Sequence, residues 1–441
     1  MSSVGVLVSI DLYLDKLVLD IQFIRENTEK VKKGVVAKQL DPKLVNKVLE
    51  IDEKRRKLLA EIEGLRARRN EIARKKPFDK AQGLKVKSEF QEKEPEFKKV
   101  EEEYKDALSQ IPNLPADDVK IGKNESENEV LRKVGEPKKF DFKPKDHLEL
   151  GEALDIIDVK RASKVSGARF SYLKNDAVLL EFALVLFALD TLIKEGFSPI
   201  VPPVLMKVPV FHKLGYSEHL GNENYYLVKG REGVEEEEQE YYLVGTAEHS
   251  IVPYFMDEVL SAKELPKRFV GFSSAFRREA GSYGKDTKGI LRVHQFDKVE
   301  MVSFTKPEDG NKEHEYLLSL EEKLLQALEI PYQVVKMCSG DLGAPAARKY
   351  DLEAWMPGQG KYREVTSTST CTDFQARRLN IRYNDKGKMS YVHTLNGTAF
   401  AIGRTIIAIL ENYQQKDGSV LIPDVLQKWV GKEKISIHGV K

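Results

Sequence analysis

The sequence predicts an α+β protein in which a charged helical hairpin precedes a largely antiparallel sheet with helices packed on it. Residues 43–76 contain no proline and carry apolar residues mostly three or four positions apart. From about residue 131 onward, short β-rich runs are separated by turns rather than by the regular helices of βαβ units. The composition, 41% hydrophobic and 32% charged over 441 residues, is typical of a globular chain with two or three domains.

The amino-terminal residues 1–17 are predicted to be an extension outside the folded domain. They contain no basic region, and Asp11 and Asp15 interrupt their apolar stretch, so they make a poor signal peptide. No apolar run in the chain approaches the roughly 20 residues that a membrane span needs. We therefore expect the domain to begin near Val18, and an upstream start-codon assignment would account for the extension.

Charge and cysteine content narrow the class of protein. The formal net charge is +1, so a nucleic-acid partner cannot be argued from global charge, and any basic surface must be local. The two cysteines, Cys338 and Cys371, do not form a CxxC pair. This argues against a disulfide framework and against a zinc site, and it favours a cytoplasmic protein.

Two long amphipathic helices are predicted next. The first begins after Asp41, which is expected to cap it, and runs over residues 43–76. Residues 77–83 are predicted to be a turn. A second helix then runs to about Gln110, and Pro95 is expected to bend or divide it.

The narrow apolar seams of these helices predict an antiparallel coiled-coil hairpin, the arm, over about residues 43–110. From Lys43 to Lys76, twelve lysines and arginines outnumber six acidic residues. Two interpretations stay open on this evidence: a solvated helix face, or an arm that lies along nucleic-acid phosphates. The seam positions are Val45, Val48, Leu49, Leu58, Leu59, Ile62, Leu65 and Ile72 in the first helix and Phe90, Phe97, Val100, Tyr104 and Leu108 in the second.

A proline-rich linker and an apolar helix open the second part of the chain. The linker covers residues 111–130. The helix AVLLEFALVLFALDTLIKEG is expected to end with Gly196 as its C′ glycine. An acidic run at 230–240 lies between two of the β-rich runs and is most simply a solvated hairpin tip. These runs are FSPIVPPVL, YYLVKG, EYYLVGTAE, RFVGFSSAFRRE, LRVHQFDKVEMVSF, YQVVKM, KYDLEAWM and YREVTSTST.

Two of these runs carry charged residues where a core would need apolar ones. If residues 270–279 form a strand, Arg277 and Glu279 share one face. A guanidinium binds phosphate or carboxylate and an aromatic ring stacks on a base, so a ligand site is one interpretation. A solvent-exposed ion-pair ladder is the other. On the return strand the same reasoning groups Arg292, His294, Phe296, Lys298 and Glu300.

Two further stretches favour the ligand site. In YREVTSTSTCTDFQARR, alternation places Glu364, Thr366 and Thr368 on one face of a strand and Ser367 on the other. A carboxylate next to hydroxyl groups can bind a hard metal ion or order a phosphate. A threonine-rich edge strand without a ligand is the other interpretation. In NGTAFAIGRT, Arg404 opens an apolar helix, where an arginine rarely lacks an anionic or stacking partner. No P-loop or Rossmann fingerprint occurs, so a nucleotide would be bound without either.

These stretches resemble the motifs of class II aminoacyl-tRNA synthetases, in the form found in seryl-tRNA synthetases. FRREAGSYGKDTKGILRVHQFDKVEM is similar to motif 2, EGFSPIVPPVL to motif 1 with Pro203 or Pro202 as its proline, and NGTAFAIGRT to motif 3 with Arg404 as its arginine. LVGTAEHS, EVTSTSTCTDFQARR, ENYQQKDGSVLIPDVLQKWV, LDIQFIREN and IPNLP resemble seryl-specific blocks. The resemblance implies a tRNA-binding domain at 18–125 and a class II catalytic domain, built on an antiparallel sheet, at 126–441.

The resemblance also implies a site for ATP and Mg²⁺ in which Arg277, Glu364 and Arg404 are catalytic. Arg277 would hold the ATP α-phosphate together with the serine carboxylate. Glu364 and Ser367 would order the phosphates and the Mg²⁺ ion. Arg404 would stack on one face of the adenine and Phe296 on the other. The implied ATP-binding residues are Arg277, Arg278, Glu279, Val293, His294, Gln295, Phe296, Glu364, Val365, Thr366, Ser367 and Arg404.

Serine recognition is implied for a second group of residues. A buried Glu300 that reads the serine hydroxyl would reject alanine, because alanine leaves that carboxylate unpaired. Thr366 and Thr398 stand where many family members have serine, which keeps the hydroxyl and leaves only pocket volume in question. The implied serine-binding residues are Thr246, Ala247, Glu248, Arg277, Glu300 and Thr398.

The implied reaction is the activation of L-serine with ATP and the transfer of the seryl group to tRNA(Ser), and to tRNA(Sec). The arm would grip the long variable arm of the tRNA, and motif 1 would form a homodimer in the cytoplasm. One alternative is a class II synthetase for another amino acid, although threonyl and prolyl enzymes usually carry a further carboxyl-terminal domain. The other is a non-enzymatic paralogue, in which we would expect Arg277, Glu300 or Arg404 to be lost.

Overall fold

The structure, a computed structural model, describes residues 19–74, 80–216, 222–229, 240–280 and 289–436. The predicted extension 1–17, part of the predicted turn at 77–83 and nearly all of the acidic tip at 230–240 lie outside these residues, as does most of the loop between the two charged runs. The chain divides into two units, Met1–Leu114 and Pro115–Lys441.

Four helices form the described part of the first unit. They are α1 (Ile21–Glu26), α2 (Thr28–Ala37), α3 (Lys43–Arg74) and α4 (Lys80–Ser109). Oδ1 of Asp41 accepts a hydrogen bond from the N–H of Lys43 at 2.8 Å, which is the capping role that the sequence predicts.

Helices α3 and α4 lie antiparallel and confirm the predicted coiled-coil hairpin. Arg55 of α3 pairs with Glu101 of α4, whereas Glu61, further along α3, pairs with Lys93, which lies earlier in α4. The sequence positions of the partners therefore run in opposite directions, as they must in a hairpin.

The start of α4 differs from the prediction. Helix α4 begins at Lys80, so the last four residues of the predicted turn are helical. Of the two effects predicted for Pro95, a bend or a division, the division does not occur, because the helix continues through this residue. The proline removes one backbone hydrogen bond, but packing along a 30-residue helix outweighs that single loss.

Polar pairs interrupt the apolar seam, a feature that the sequence pattern does not predict. Asp52 and Arg55 are buried among the apolar seam residues of α3. Arg25 donates to both oxygens of Asp52 at 2.8 and 2.6 Å, and Nε of Arg55 donates to Glu101 at 2.8 Å. Such pairs fix the register of two helices because a shift would leave a buried charge unpaired. The buried apolar residues of the seam are Val45, Val48, Leu58, Ile62, Leu65, Ile72, Val86, Val100, Tyr104 and Leu108.

An eight-stranded sheet organises the second unit. Its strands are β1 (Glu129–Val134), β4 (Ser198–Ile200), β9 (Lys267–Phe276), β10 (Gln295–Thr305), β11 (Tyr332–Lys336), β12 (Arg348–Met356), β13 (Lys361–Thr370) and β16 (His393–Ala401). Their order in the sheet is β1-β11-β12-β13-β16-β10-β9-β4, and every pairing is antiparallel except β4 with β9. This confirms the predicted α+β class.

Smaller elements surround this sheet. The other strands are β2 (Ile157–Asp158), β3 (Tyr172–Leu173), β5 (Leu205–Lys207), β6 (Leu227–Val228), β7 (Tyr241–Leu243), β8 (Val259–Ser261), β14 (Arg382–Asp385), β15 (Lys388–Tyr391), β17 (Val420–Leu421) and β18 (Lys434–Ile435). The helices are α5 (His147–Ala153), α6 (Val159–Ser166), α7 (Asp176–Lys194), α8 (Val208–Lys213), α9 (Glu248–Ile251), α10 (Gly310–Ala327), α11 (Phe374–Leu379), α12 (Ile402–Tyr413) and α13 (Asp424–Val430). Within the described ranges, the structure contains no helix with the length and apolar character of a membrane span.

The two faces of the sheet differ in chemistry. Helices α7, α10 and α12 contribute to one large core together with Val299 and Met301 of β10. Because side chains alternate along a strand, Phe296, Lys298 and Glu300 point away from that core. Helix α7 ends before Gly196, whose φ of +86° confirms it as the predicted C′ glycine. The other face of β10 is polar around Lys298 and Glu300, and it is apolar further along, where Val302 and Phe304 join a second core.

Candidate active site

Four residues of the two charged runs lie just outside the strands β9 and β10, whereas Phe296, Lys298 and Glu300 lie within β10. Strand β9 ends before Arg277 and β10 begins after His294, so the predicted alternation of Arg277 with Glu279 and of Arg292 with His294 does not hold there. The backbone turns at Glu279, where φ is +49°. The two chains stay paired nonetheless, because the N–H of Arg277 donates to the carbonyl of His294 at 3.0 Å.

A β-bulge changes which side chains of the stretch YREVTSTST on β13 share a face. Two successive residues of β12 pair with Glu364 and Thr366, so Val365 is an extra residue in the ladder. Glu364 and Ser367 therefore share the polar face, whereas the Thr366 hydroxyl donates to Glu321 of α10 at 3.0 Å, beneath the sheet. The predicted grouping of Glu364 with Thr366 and Thr368 was wrong for this reason.

One cavity on the polar face has the residues expected around a nucleotide. The guanidinium carbon of Arg277 lies 5.4 Å from the centre of the Phe296 ring. Its Nε donates to the carbonyl of Gly245 at 3.1 Å, which fixes the arginine. The lining residues include Arg277, Glu279, Ile290, Leu291, Arg292, Val293, Phe296, Lys298, Glu364, Val365, Thr366, Ser367, Thr398 and Arg404.

Arg404 and Glu364 form an ion pair on the wall of this cavity. Nη1 of Arg404 donates to Oε2 of Glu364 at 2.9 Å and to its carbonyl oxygen at 3.0 Å. Burial raises the pKa of Glu364, but Arg404 and then Lys349 outweigh it and hold that pKa at about 2. Glu364 is therefore a carboxylate at physiological pH.

The donors near Glu364 suit a hard cation that arrives with phosphate groups. An ionised carboxylate beside the Ser367 hydroxyl supplies oxygen ligands, which Mg²⁺ prefers. Across the described ranges, no three His, Cys, Asp or Glu side chains come together as a metal site of their own.

A second cavity adjoins the first and contains buried carboxylates. Oε1 of Glu248 accepts hydrogen bonds from the Tyr216 hydroxyl at 2.7 Å and from Gln375 at 3.1 Å. Burial, and then the charge of Glu300, raise the pKa of Glu248. Thr246 and Glu300 also line this cavity. Its chemistry suits a small ligand that carries an ammonium or hydroxyl group.

Glu300 lies at the floor of the second cavity with two partners. Nζ of Lys298 is 2.7 Å from its Oε2, and the Thr398 hydroxyl donates to the same oxygen at 3.2 Å. Burial lowers the pKa of Lys298, although the neighbouring Glu300 opposes that shift. A register shift between β10 and β16 brings Thr398 directly opposite Glu300.

Four of the predicted site residues lie outside the walls of both cavities. Ala247 is fully buried, and Gln295 is exposed at the start of β10. Nδ1 of His294 contacts the carbonyl oxygen of Arg277 at 3.0 Å. Arg278 lines a separate concave surface beside Tyr226. Their predicted contacts with ATP or serine stay predictions.

Sequence reasoning missed several residues that line the second cavity. Tyr216 and His249 gave no signal, because a lone tyrosine or histidine beside an apolar run is typical of a core. Lys349 lies on β12, where its Nζ is 2.9 Å from Oδ1 of Asp351. Alternating charges on that strand were a usable signal, of the same kind as those on β10. The missed residues include Tyr216, Tyr225, His249, Asp341, Lys349 and Asn396.

Comparisons with known proteins agree with this geometry. A family model described as the seryl-tRNA synthetase N-terminal domain matches residues 18–115. One described as the tRNA synthetase class II core domain (G, H, P, S and T) matches residues 226–413. The serine–tRNA ligase of Dictyoglomus turgidum is 46% identical over 95% of this chain and 99% of the relative. The chain belongs to the seryl-tRNA synthetase family.

Other members of the seryl-tRNA synthetase family show the same similarity. The serine–tRNA ligase of Dictyoglomus thermophilum is 47% identical over 95% of this chain and 99% of its own length. The structure of seryl-tRNA synthetase from Pyrococcus horikoshii complexed with ATP matches with a TM-score of 0.87 at 42% identity, covering 96% of this chain and all of that one. A cytoplasmic serine–tRNA ligase from Naegleria fowleri in complex with AMP has a TM-score of 0.85 at 33% identity, covering 96% of this chain and 99% of that one. The predicted resemblance and fold class are confirmed, and the protein is a class II aminoacyl-tRNA synthetase.

Proposed function

We propose that this synthetase activates L-serine with ATP to seryl-adenylate and then transfers the seryl group to the 3′ end of tRNA(Ser). The observation that carries the proposal is that the two cavities share a wall. Arg277, Lys298, Glu364 and Ser367 line both of them, so a nucleotide in one cavity and an amino acid in the other would meet at these side chains. The names of the relatives and the ATP and AMP complexes of the similar structures support it.

Adenylation needs alignment more than it needs a base. The serine carboxylate is already ionised; its oxygen forms a bond to the α-phosphorus while the bond to the pyrophosphate leaving group breaks. Arg277, held by Gly245 and packed over Phe296, would offset the charges of both anions at that point. Arg404 would support the nucleotide from the opposite side, with Glu364 fixing its guanidinium.

Glu364 and Ser367 would hold a Mg²⁺ ion that enters with ATP. When bound, the ion would neutralise phosphate charge. The chain contributes an ionised carboxylate, because Arg404 and Lys349 keep the pKa of Glu364 low. It also contributes a hydroxyl that the β13 bulge turns to the same side.

The second cavity would distinguish serine from similar amino acids. Glu248 and Thr246 would receive the ammonium group, and Glu300 with Thr398 would receive the hydroxyl. Alanine would leave Glu300 without its hydroxyl partner, which disfavours it. Threonine would be excluded only if its extra methyl group finds no room.

The arm would bind the tRNA. Exposed arginines on α3 provide a positive surface, and the family model that matches residues 18–115 supports this role. The exposed arginines of α3 include Arg66, Arg68, Arg69 and Arg74.

Charging of tRNA(Sec) is a further part of the proposal. It can be tested by offering tRNA(Ser) and tRNA(Sec) transcripts to the enzyme in parallel.

Helix α7 supports a homodimer. Leu179, Phe182, Leu186 and Ile193 are 42–54% exposed, although they are apolar and lie at spacings that place them along one side of the helix. A second copy would cover this surface. Sedimentation equilibrium should give a dimer for the wild type and a monomer for Phe182→Glu.

We propose that the enzyme acts in the cytoplasm, where its two buried cysteines would stay reduced.

Single-turnover formation of seryl-adenylate tests the proposed chemistry. Arg277→Ala and Arg404→Ala should each slow adenylate formation by about 100-fold or more, because each removes a fixed positive charge from the site. Lys388→Ala, an exposed residue on β15, is the matched control and should behave as the wild type. Normal adenylate formation by either arginine variant would contradict the proposed roles.

A further inference from the structure

We infer that Lys298 is a positioning residue for serine recognition: its ammonium group holds the Glu300 carboxylate by Oε2, so that Oε1 is presented to the serine side chain. The inference rests on the proposed role of Glu300 as the reader of the hydroxyl. It adds a residue to which neither the resemblance nor the comparisons assign a function.

The geometry of the pair carries this inference. Lys298 and Glu300 are two residues apart on β10 and project from the same face, while Val299 between them packs into the core. Among the residues that the structure describes, Glu300 has two partners, Nζ of Lys298 at 2.7 Å and Oγ1 of Thr398 at 3.2 Å, and both contact Oε2. The carboxylate is therefore oriented by one of its oxygens.

Burial makes this orientation consequential. The Lys298 side chain is 8% exposed and that of Glu300 is 2% exposed. A buried ion pair is tightly constrained, and the loss of one partner strands the other charge. Without the ammonium group, the Glu300 carboxylate would lose the contact that fixes its orientation, and the serine hydroxyl would lose a correctly placed acceptor.

A second carboxylate increases the need for the lysine. Glu248 lines the same cavity; burial and then the charge of Glu300 raise its pKa, and Lys298 opposes that shift. Two buried carboxylates in one small cavity disfavour each other's ionised form. Lys298 offsets this repulsion, which keeps two acceptors available for a ligand that carries an ammonium and a hydroxyl.

Lys298 also lines the nucleotide cavity, so a direct role with ATP is the competing assignment. The two roles predict different kinetics. A residue that orients Glu300 changes the KM for serine and the preference for serine over alanine. A residue that contacts ATP changes the KM for ATP and leaves that preference unchanged.

The test is ATP–pyrophosphate exchange by the full-length protein with serine and with alanine. Lys298→Met removes the ammonium and keeps most of the stem, whereas Lys298→Arg keeps the charge. For the Met variant we expect the serine KM to rise and the serine-to-alanine ratio of kcat/KM to fall, each by about tenfold or more, with the ATP KM within about twofold of wild type. The Arg variant should recover part of that ratio. Lys306→Met, just beyond β10, is the control and should change neither constant.

Three outcomes would overturn the inference. The first is an unchanged serine-to-alanine ratio in Lys298→Met, and the second is a change confined to the ATP KM. The third is equal loss of activity and of thermal stability in the Met and Arg variants, which would mark a merely structural lysine. If the Met variant does not fold, Lys298→Gln takes its place under the same criteria.

The variant Glu300→Gln distinguishes a failure of the inference about Lys298 from a failure of the proposed role of Glu300. If that variant keeps the wild-type serine-to-alanine ratio, the proposed role of Glu300 itself fails. If it loses the ratio while Lys298→Met keeps it, only the inference about Lys298 fails. Loss of the ratio in both variants supports both assignments.

Discussion

Arg404 and Glu364 constrain each other across the nucleotide cavity. The guanidinium donates to the carboxylate and to the backbone carbonyl of the same residue, so it has little freedom to turn. The same contact helps to keep the pKa of Glu364 near 2. One ion pair therefore orients the arginine and keeps the carboxylate ionised, which are two separate requirements of the proposed site.

Glu181 of α7 provides a prediction about pH. Burial, and then a hydrogen bond and charge repulsion with Asp297, raise its pKa to about 8. When the pKa of a carboxyl group is higher in the folded protein than in the unfolded chain, the folded protein becomes less stable as the pH rises from the unfolded-state pKa towards the folded-state pKa of about 8. Glu181→Gln stays neutral and can still donate to Asp297. Its melting temperature should therefore exceed that of wild type by a margin that grows between about pH 5 and pH 8.

An exposed carboxylate on the same helix is the control for this experiment. Asp190 pairs with Lys194 at 2.9 Å, and that pairing lowers its pKa. Asp190→Asn should thus shift the melting temperature slightly downward at neutral pH, the opposite sign. A pH-independent difference for Glu181→Gln would contradict the prediction.

Gly289 fixes the position of the segment that enters β10. Its φ is +74°, and a Cβ there would lie 2.0 Å from Nε2 of His147. That nitrogen accepts the N–H of Ile290 at 3.3 Å, and the other ring nitrogen lies 3.4 Å from Glu411. Ile290 lines the nucleotide cavity, so Gly289→Ala should raise the KM for ATP by about tenfold.

The control for Gly289 is another glycine with positive φ. Gly360 has a φ of +64°, and nothing lies within 4 Å of a Cβ built on it. Gly360→Ala should cost a similar backbone strain without changing the KM for ATP. Equal effects of the two substitutions in the exchange assay would show that strain alone, and not the His147 contact, matters.

The arm offers a test of its buried ion pair. Arg55 and Glu101 have side chains 3% and 9% exposed. Arg55→Met strands Glu101 and should destabilise the helices by about 3–5 kcal/mol, whereas Arg55→Met with Glu101→Met should recover most of that loss. Urea unfolding followed by far-UV circular dichroism measures both. A double variant as unstable as the single one would contradict this account of the seam.

Across the whole chain, the two units predict separable activities. Replacing residues 43–110 by a short glycine-serine linker should leave serine-dependent pyrophosphate exchange close to wild type, because every residue of both cavities lies in the second unit. The same variant should lose charging of tRNA(Ser), since the proposed tRNA surface is removed. Charging that survives the deletion would show that the arm is not required for binding.

The sequence predicts the architecture well, because periodicity and turn residues report local structure. The seam of α3, the end of α7 at Gly196 and the antiparallel sheet all follow from such patterns. The predicted faces of β13 failed because a bulge inserts Val365, and alternation cannot reveal one extra residue. Arg55 was not foreseen in the seam, because its partner Glu101 comes from another helix.

The most direct measurement is ATP–pyrophosphate exchange by the wild-type protein with a panel of amino acids. The acidic cavity around Glu248 and Glu300, joined to the Arg277 site, predicts exchange with serine and little or none with alanine or proline. Exchange driven by alanine or proline instead, or no exchange with serine, would contradict the central claim.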